Sequence, residues 1–263
     1  MFRLDNRCLI KISGDDAESF LQNLVTQDMT GLEAGQLIYS SLLTPQGRFL
    51  HDFFIFKEED AFFLECETQR REDLLKRLKM FKLRSKVIIE DCAAAFAVYA
   101  GATGKYRDPR LAEMGCRSYL QANEKRETAP ATAYQDLRIH LGVPEGSVDI
   151  RPEVDTLAEV NLDKLNAVSW NKGCFVGQEV AARMENRGLV KKRLVIVVGQ
   201  NLTAGEALTQ NGVSVGELRS VNTPGIEGLA LLKLAALADE SGPIVRPDGA
   251  TLTARLPEWV NNT

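Results

Sequence analysis

The chain has 263 residues, and its 32 basic and 36 acidic side chains give a formal net charge of −4 at pH 7. This charge argues against a protein that coats nucleic acid by bulk electrostatics, while the length allows one large domain with a small appendage or two modest domains. No stretch approaches the roughly 20 apolar residues of a membrane-spanning helix, and residues 1–13 lack the apolar core of a signal peptide. We therefore expect a cytoplasmic protein that contacts neither membranes nor nucleic acid directly.

The cysteine and histidine contents restrict the possible chemistry. Five cysteines, an odd number, are scattered along the chain without a CxxC pair, at Cys8, Cys66, Cys92, Cys116 and Cys174. This spacing predicts neither a disulfide framework nor a zinc site, and it suits a reducing compartment. The sequence contains two histidines, His51 and His140, and this scarcity argues against a metal centre or Ser-His-Asp catalysis.

The first 83 residues alternate between strand and helix patterns. Residues 3–14 read as a strand and residues 16–29 have helical apolar spacing. Two β-rich runs on either side of the turn TPQG (44–47) predict a hairpin, and a third strand follows at 61–66. A helix with one apolar stripe then covers 68–83. The order βαβββα predicts an α+β fold in which helices pack on antiparallel sheets.

The rest of the chain divides at about residue 190. Apolar and turn-rich runs continue to residue 120, and the polar stretch 121–133 is typical of a surface excursion. Short strands separated by Gly, Asn and Pro at 191–200, 212–221 and 228–234 predict a small C-terminal β-barrel or sandwich. We therefore predict a body over 1–190 and a barrel over 191–263.

The segment SWNKGCFVGQEVAARM (169–184) carries the densest set of chemically useful residues. Gly173 and Gly177 flank the tripeptide CFV and would let the backbone turn tightly and approach a ligand. Cys174 precedes a predicted helix over 178–186, and Lys172 lies two residues away. Both features favour the thiolate over the thiol, which predicts a reactive cysteine.

Several structural alternatives stand beside this interpretation. Cys174 could be a small buried hydrophobe, and a papain-like nucleophile would need one of the two histidines beside it. Gln178 and Glu179 could hydrogen-bond a polar ligand, or they could form a solvated first helical turn. On the predicted helix, Val180, Ala181 and Met184 would face inward, and Glu179 would pair with Arg183.

The motif KGCFVGQE (172–179), with the preceding segment from Gly142, resembles the signature of the YgfZ-type folate-binding proteins. These are iron-sulfur cluster assembly factors related to the glycine-cleavage aminomethyltransferase. Residues 12–29 and 35–56 resemble the N-terminal part of that whole superfamily, and DPRLAEMGCR (108–117) resembles its mitochondrial-type branch. The resemblance implies a folate-binding body with a central cleft and a C-terminal β-barrel.

The resemblance also implies a function and partners. It implies binding of tetrahydrofolate or a one-carbon derivative, with support of iron-sulfur cluster assembly or repair. Expected partners are iron-sulfur assembly proteins and client enzymes, such as those that methylthiolate tRNA. A folate-dependent aminomethyl transferase and a non-catalytic scaffold for cluster-carrying proteins remain alternatives, so the resemblance leaves open whether the chain is an enzyme.

Carried onto this sequence, the resemblance assigns site residues. Cys174, Lys172 and Asp52 are candidate catalytic residues, and the candidate folate ligands are Gly173, Gly177, Gln178, Glu179 and Arg138. A folate ligand also needs cations for the carboxylates of its tail, and the candidates are Arg138, Arg187, Lys191, Lys192 and Arg193. No metal site is expected.

One position departs from the superfamily pattern. Aminomethyltransferases carry two acids where this chain has His51 and Asp52, so glycine-cleavage chemistry is doubtful. Asp52 would either assist near the pterin or face solvent from its strand.

Overall fold

The computed structural model describes residues 1–124, 126–186, 190–238 and 242–260, with the side chains of residues 184–186 left out. The chain forms two compact units. Unit 1 consists of Met1–Ala131 and Leu165–Gln178, and unit 2 consists of Thr132–Lys164 and Glu179–Thr263. This division differs from the boundary expected at residue 190, because the segments 132–164 and 179–190 group with the C-terminal strands.

Unit 1 contains two antiparallel sheets and two principal helices. Its strands are β1 (Phe2–Arg3), β2 (Arg7–Ser13), β3 (Leu37–Leu43), β4 (Phe49–Glu58), β5 (Ala61–Glu67), β6 (Ile88–Asp91), β7 (Phe96–Gly101), β8 (Tyr106–Arg107) and β9 (Cys116–Gln121). One sheet has the order β3-β4-β5-β2-β6 and the other β1-β7-β9-β8. The predicted hairpin is confirmed, since β3 pairs with β4 and the amide of Gly47 donates to Thr44 O at 2.9 Å.

Helices α1 (Ala17–Leu24) and α2 (Arg71–Lys82) pack their apolar stripes on the five-stranded sheet. On α2, Leu74 and Leu78 are fully buried while Leu75 and Phe81 are partly buried, so the predicted stripe is confirmed. The spacing of three and four residues places these side chains on one helical face.

Unit 2 is built around a closed barrel. Its helices are α3 (Ala131–His140), α4 (Gly146–Asp149) and α5 (Gln178–Asn186), and the first residues of α3 and α5 belong to unit 1. The barrel strands are β10 (Lys192–Val198), β11 (Ala207–Gln210), β12 (Val213–Val221), β13 (Glu227–Lys233), β14 (Ile244–Val245) and β15 (Thr251–Arg255). They close in the order β10-β13-β12-β11-β14-β15. The predicted fold class, α+β with antiparallel sheets and a small C-terminal barrel, is confirmed.

No helix within the described residues is both long and apolar enough to cross a membrane.

Candidate functional site

The site is built where helix α1 ends. The last carbonyls of an α-helix have no partner within the helix and need donors from elsewhere. Lys172 supplies donors to the last turn of α1 and to the residues after it: its Nζ donates to Gln22 O at 2.7 Å, Val25 O at 2.7 Å and Gln27 O at 2.9 Å. An ammonium group has three N–H donors, so all three are used. The positive charge also suits the negative end of the helix dipole.

Lys172 is buried, with 7% of the residue exposed. Burial lowers the pKa of its ammonium group to about 8, and the carboxylate of Asp28 opposes this shift. Since a buried charge is costly without partners, the three carbonyls are what make this position possible. The structure therefore shows Lys172 hydrogen-bonded to three backbone carbonyls, whereas the sequence had predicted only a positive charge beside Cys174.

Further hydrogen bonds attach the segment before Lys172 to the loop after α1. The amide of Ser169 donates to Thr26 O at 3.0 Å, and the hydroxyl of Thr26 donates to Ala167 O at 2.6 Å. The side-chain amide of Gln27 donates to Asn166 O at 2.7 Å. Residues 166–172 are thus held along their length by residues 22–27.

The segment after Cys174 is fixed by packing. Phe175 is buried, and the Nζ of Lys172 lies 5.5 Å from its ring centroid. Val176 packs against the core of unit 1. Gly177 has φ +82°, and a Cβ there would clash with Thr44 O at the hairpin turn, so only glycine fits.

Gly173 differs from Gly177. A Cβ added at Gly173 would meet no atom within 4 Å, and its φ lies outside the left-handed region. Within unit 1 the backbone at Gly173 therefore does not require glycine, and its expected close approach to a ligand stays a prediction. Its predicted role as a folate ligand stays a prediction.

Cys174 lies between these two fixed points. It is exposed, whereas Cys8 and Cys66 are buried and Cys92 and Cys116 are intermediate. The alternative of a small buried hydrophobe is excluded by this exposure. Thiolates are soft ligands for iron, copper and zinc, so an exposed thiol on a rigid loop can engage such a metal from outside.

Helix α5 follows the loop at Gln178, as the sequence predicts. The predicted ion pair is present, with Arg183 Nη2 2.7 Å from Glu179 Oε1. Ala181 is buried, but Val180 is 37% exposed, so the expected inward position of Val180 is wrong. The side chain of Met184 lies outside the described residues. For Gln178 and Glu179, ligand binding stays a prediction.

Asp52 is buried in unit 1 at 3% exposure, so the alternative that it faces solvent is wrong. Its carboxylate accepts a hydrogen bond from Tyr39 Oη at 3.0 Å and lies 3.5 Å from Arg7 Nη1. Its neighbour His51 is also buried, with Nε2 2.9 Å from Asp73 Oδ2. Burial and the charge of Arg70 lower the pKa of His51 to about 4, which keeps its imidazole neutral at pH 7.

A buried charge network joins Asp52 to the second sheet, and sequence reasoning missed it. Glu65 lies 2.9 Å from Arg7 Nε and 2.6 Å from Arg117 Nη1, and Arg117 lies 3.3 Å from Asp108. Asp108 also pairs with Arg110 at 2.8 Å. The available signal was a set of charged residues inside apolar strands, such as the glutamate of AFFLEC.

A cavity of about 490 Å³ lies beside this network in unit 1. It is lined by Arg107, Asp108, Arg110, Cys116 and Asn166 among others. The guanidinium of Arg110 stacks 5.4 Å from the ring centroid of Tyr39, the residue that hydrogen-bonds Asp52. The volume falls within the range of small-molecule sites.

Arg138, the predicted ligand for the folate tail, lies in unit 2 and is 2% exposed. Its Nη1 lies 2.6 Å from Asp149 Oδ2, and its Nε lies 3.3 Å from Glu145 Oε2. Since two carboxylates of unit 2 already hold this guanidinium, a folate carboxylate would have to compete with them. Of the other candidate cations, Arg187 lies outside the described residues, and Arg193 pairs with Asp163 of unit 2 at 2.9 Å.

The two glycines provide a matched pair of substitutions. We expect Gly177→Ala to lower the free energy of unfolding by about 2–4 kcal/mol, because it combines a left-handed φ with a backbone clash. Gly173→Ala should change it by no more than about 0.5 kcal/mol. Urea denaturation of both variants measures this difference. Equal losses in the free energy of unfolding would contradict the position of Gly177 against the hairpin turn.

Two family models match segments of this chain. Residues 4–100 match the family model for the GCVT N-terminal domain, and residues 191–262 match that for the CAF17 C-terminal beta-barrel domain. The human mitochondrial iron-sulfur cluster assembly factor IBA57 is 34% identical, with 98% of this chain and 84% of the relative covered. Its mouse counterpart is 31% identical over the same shares.

Among solved structures, the glycine cleavage system aminomethyltransferase T from Bartonella henselae has the same fold. The TM-score is 0.79 at 17% identity, and the match covers 98% of this chain and 85% of that chain. The expectation of a cytoplasmic location is wrong, because the human and mouse relatives are mitochondrial by name. Given the identity to those relatives over most of their length, the chain belongs to the family of IBA57 iron-sulfur cluster assembly factors, within the aminomethyltransferase superfamily.

Proposed function

We propose that this protein supports iron-sulfur cluster assembly by presenting the Cys174 thiol to a cluster carried by another protein. The observation that carries the proposal is the exposure of Cys174 on a loop fixed by Lys172 on one side and Gly177 on the other. The relatives that share most of the chain are named iron-sulfur cluster assembly factors, which supports the same role.

The ligand chemistry favours a shared and transient cluster. A typical [2Fe–2S] or [4Fe–4S] cluster takes four protein ligands, most often cysteine thiolates. Within the described residues no group of three or more His, Cys, Asp or Glu side chains could hold a metal ion. Cys174 would therefore supply one thiolate, while an assembly protein or a client enzyme supplies the others. Methylthiolating tRNA enzymes, the clients implied by the YgfZ-type resemblance, are candidate recipients.

Lys172 acts in this proposal as a positioning residue. Its three donors are occupied by carbonyls of residues 22–27, so its ammonium group is committed to holding the loop. Cys174 is two residues further along, which limits the range of positions that its sulfur can sample.

We further propose that tetrahydrofolate or a one-carbon derivative binds in the cavity beside Asp108 and Arg110. The exposed guanidinium of Arg107, which lines the cavity, suits the carboxylates of the folate tail. The buried guanidinium of Arg110 is held by Asp108 and lies over the ring of Tyr39. Through Tyr39 the cavity is linked to Asp52, whose suggested role is to assist near the pterin. The aminomethyltransferase fold supports this choice of ligand.

The cysteine proposal predicts a selective loss in cells. In cells that lack the protein, Cys174→Ser should restore less than about one tenth of the wild-type activity of a [4Fe–4S] enzyme, because serine is a poor iron ligand. Cys92→Ser is the matched control, since Cys92 is less exposed and lies outside the proposed folate cavity, and it should restore full activity. Enzyme assays in both strains measure the effect.

Both variants should have the same urea midpoint of unfolding as the wild type. A loss of activity in Cys174→Ser would then come from loss of the thiol and not from loss of the folded structure. Full restoration by Cys174→Ser would contradict the thiol role and favour the scaffold alternative.

The folate proposal predicts saturable heat on titration with tetrahydrofolate. Arg107→Gln should weaken binding about tenfold, equivalent to about 1.4 kcal/mol, because Arg107 lines the cavity. Arg84→Gln removes an exposed charge outside that cavity and should leave binding unchanged. If wild-type protein binds no tetrahydrofolate, the folate proposal is wrong. The cluster proposal is tested separately by the Cys174→Ser variant. Release of an aminomethyl group in the same mixture would favour the transferase alternative.

A further inference from the structure

A second pair of thiols lies in unit 1, away from the Cys174 loop. Cys8 on β2 and Cys66 on β5 are register partners in the antiparallel pair, and their Sγ atoms are 3.8 Å apart. Residues directly opposite in such a pair have Cα atoms about 4.5 or 5.5 Å apart, which lies within the range that a disulfide spans. A contraction of the sulfur separation to about 2.05 Å would complete the bond.

One of the two thiols can be reached. Cys8 and Cys66 are 3% and 1% exposed, but Cys8 lines a cavity of about 320 Å³. Arg7, Thr68 and Arg71 line the same cavity. Its volume is far larger than a hydrogen peroxide molecule.

The two thiols differ in their readiness to ionise. A hydrogen bond from Cys66, opposed by burial and aided by Thr68, Arg71 and Arg7, lowers the pKa of Cys8 to about 7. The same hydrogen bond and burial raise the pKa of Cys66 well above its ordinary value. Cys8, which lines the cavity while Cys66 does not, is therefore assigned as the nucleophile of the pair.

We propose that Cys8 and Cys66 form a reversible dithiol–disulfide site, with a hydroperoxide as the oxidant that reaches Cys8 through the adjoining cavity. The proposal rests on the register of β2 and β5, the sulfur separation and the cavity. It is independent of the function proposed for Cys174.

The reaction balances in two steps. The Cys8 thiolate attacks one oxygen of hydrogen peroxide, so that an S–O bond forms and the O–O bond breaks. Cys8 becomes a sulfenic acid, and the departing hydroxide takes up a proton to leave as water. Cys66 sulfur then attacks Cys8 sulfur, the S–S bond forms, the S–O bond breaks, and a second water leaves with the Cys66 proton. Two thiols are oxidised and one peroxide is reduced, and a dithiol reverses the change.

Oxidation would act directly on the buried charge network. Arg7 precedes Cys8 and Glu65 precedes Cys66, and Arg7 Nε lies 2.9 Å from Glu65 Oε1. Arg7 is also the neighbour of Asp52. A disulfide would draw β2 and β5 together at the cysteines. It would therefore shift the strand that carries Arg7, the partner of Asp52.

The test treats the reduced full-length protein with hydrogen peroxide, alkylates it, and digests it with trypsin without reductant. The expected product is a disulfide between CLIK (8–11) and EEDAFFLECETQR (58–70), and dithiothreitol should remove it. Cys174, which is exposed, is the internal reference for the peroxide dose.

Two variants assign the roles of the thiols. Cys66→Ser should leave a sulfenic acid on Cys8 that dimedone traps, whereas Cys8→Ser should give no adduct on Cys66. Cys92→Ser is the control and should form the disulfide to the same extent as the wild type. If Cys8 and Cys66 stay reduced in the wild type at a dose that oxidises Cys174, the proposal is wrong. That result needs no variant to fold, and it leaves the cluster and folate proposals untouched.

Discussion

The Cys174 loop depends on one buried ammonium group. The last turn of α1 and the residues after it present carbonyls that need donors, and Lys172, 150 residues after Gln22, provides three hydrogen bonds to them. Hydrogen bonds to a charged group contribute about 1.5–3 kcal/mol each, so together they can offset the cost of removing the ammonium group from water. Because the three acceptors converge from different residues, the position of Nζ is fixed in three directions. The exposed Cys174 lies two residues after this fixed point.

Buried charges that are held by several partners also occur in unit 1, between its two sheets. Glu65 and Arg117 come from different sheets and are both almost fully buried, yet each has partners of opposite charge. The guanidinium of Arg117 also lies 3.8 Å from the ring centroid of Phe54. A buried charge that lost its partner would be strongly destabilising, so the network constrains which residues can occupy these strands. Asp52 belongs to this constrained set, which explains why an acid on an otherwise apolar strand does not face water.

Local patterns in the sequence predicted the elements that local forces determine. The apolar stripe of Leu74 and Leu78, the hairpin turn at Thr44–Gly47 and the small barrel follow from periodicity and turn chemistry, and the structure confirms them.

Contacts between distant segments could not be predicted in this way. The carbonyl partners of Lys172 lie 145 to 150 residues away, and no local pattern encodes them. The distinction between Gly173 and Gly177 depends on the position of the hairpin turn, which only tertiary structure supplies. Val180 has the helical spacing of an inward residue but is exposed, since apolar spacing does not specify what packs against a face. The sequence pattern likewise did not predict the cellular location, and the names of the relatives correct the cytoplasmic expectation.

The most direct test is amide hydrogen exchange over residues 169–178 in Lys172→Met, a substitution that keeps much of the side-chain length and removes the three donors. Lys76→Met, which removes an exposed charge on α2, is the control. Loss of about 3 kcal/mol of local stability should speed exchange of the Ser169 and Gln178 amides on the order of 100-fold, with no change in the control. Exchange that remains at the wild-type rate in Lys172→Met would show that the ammonium group does not hold the loop, and the positioning of Cys174 would need another cause.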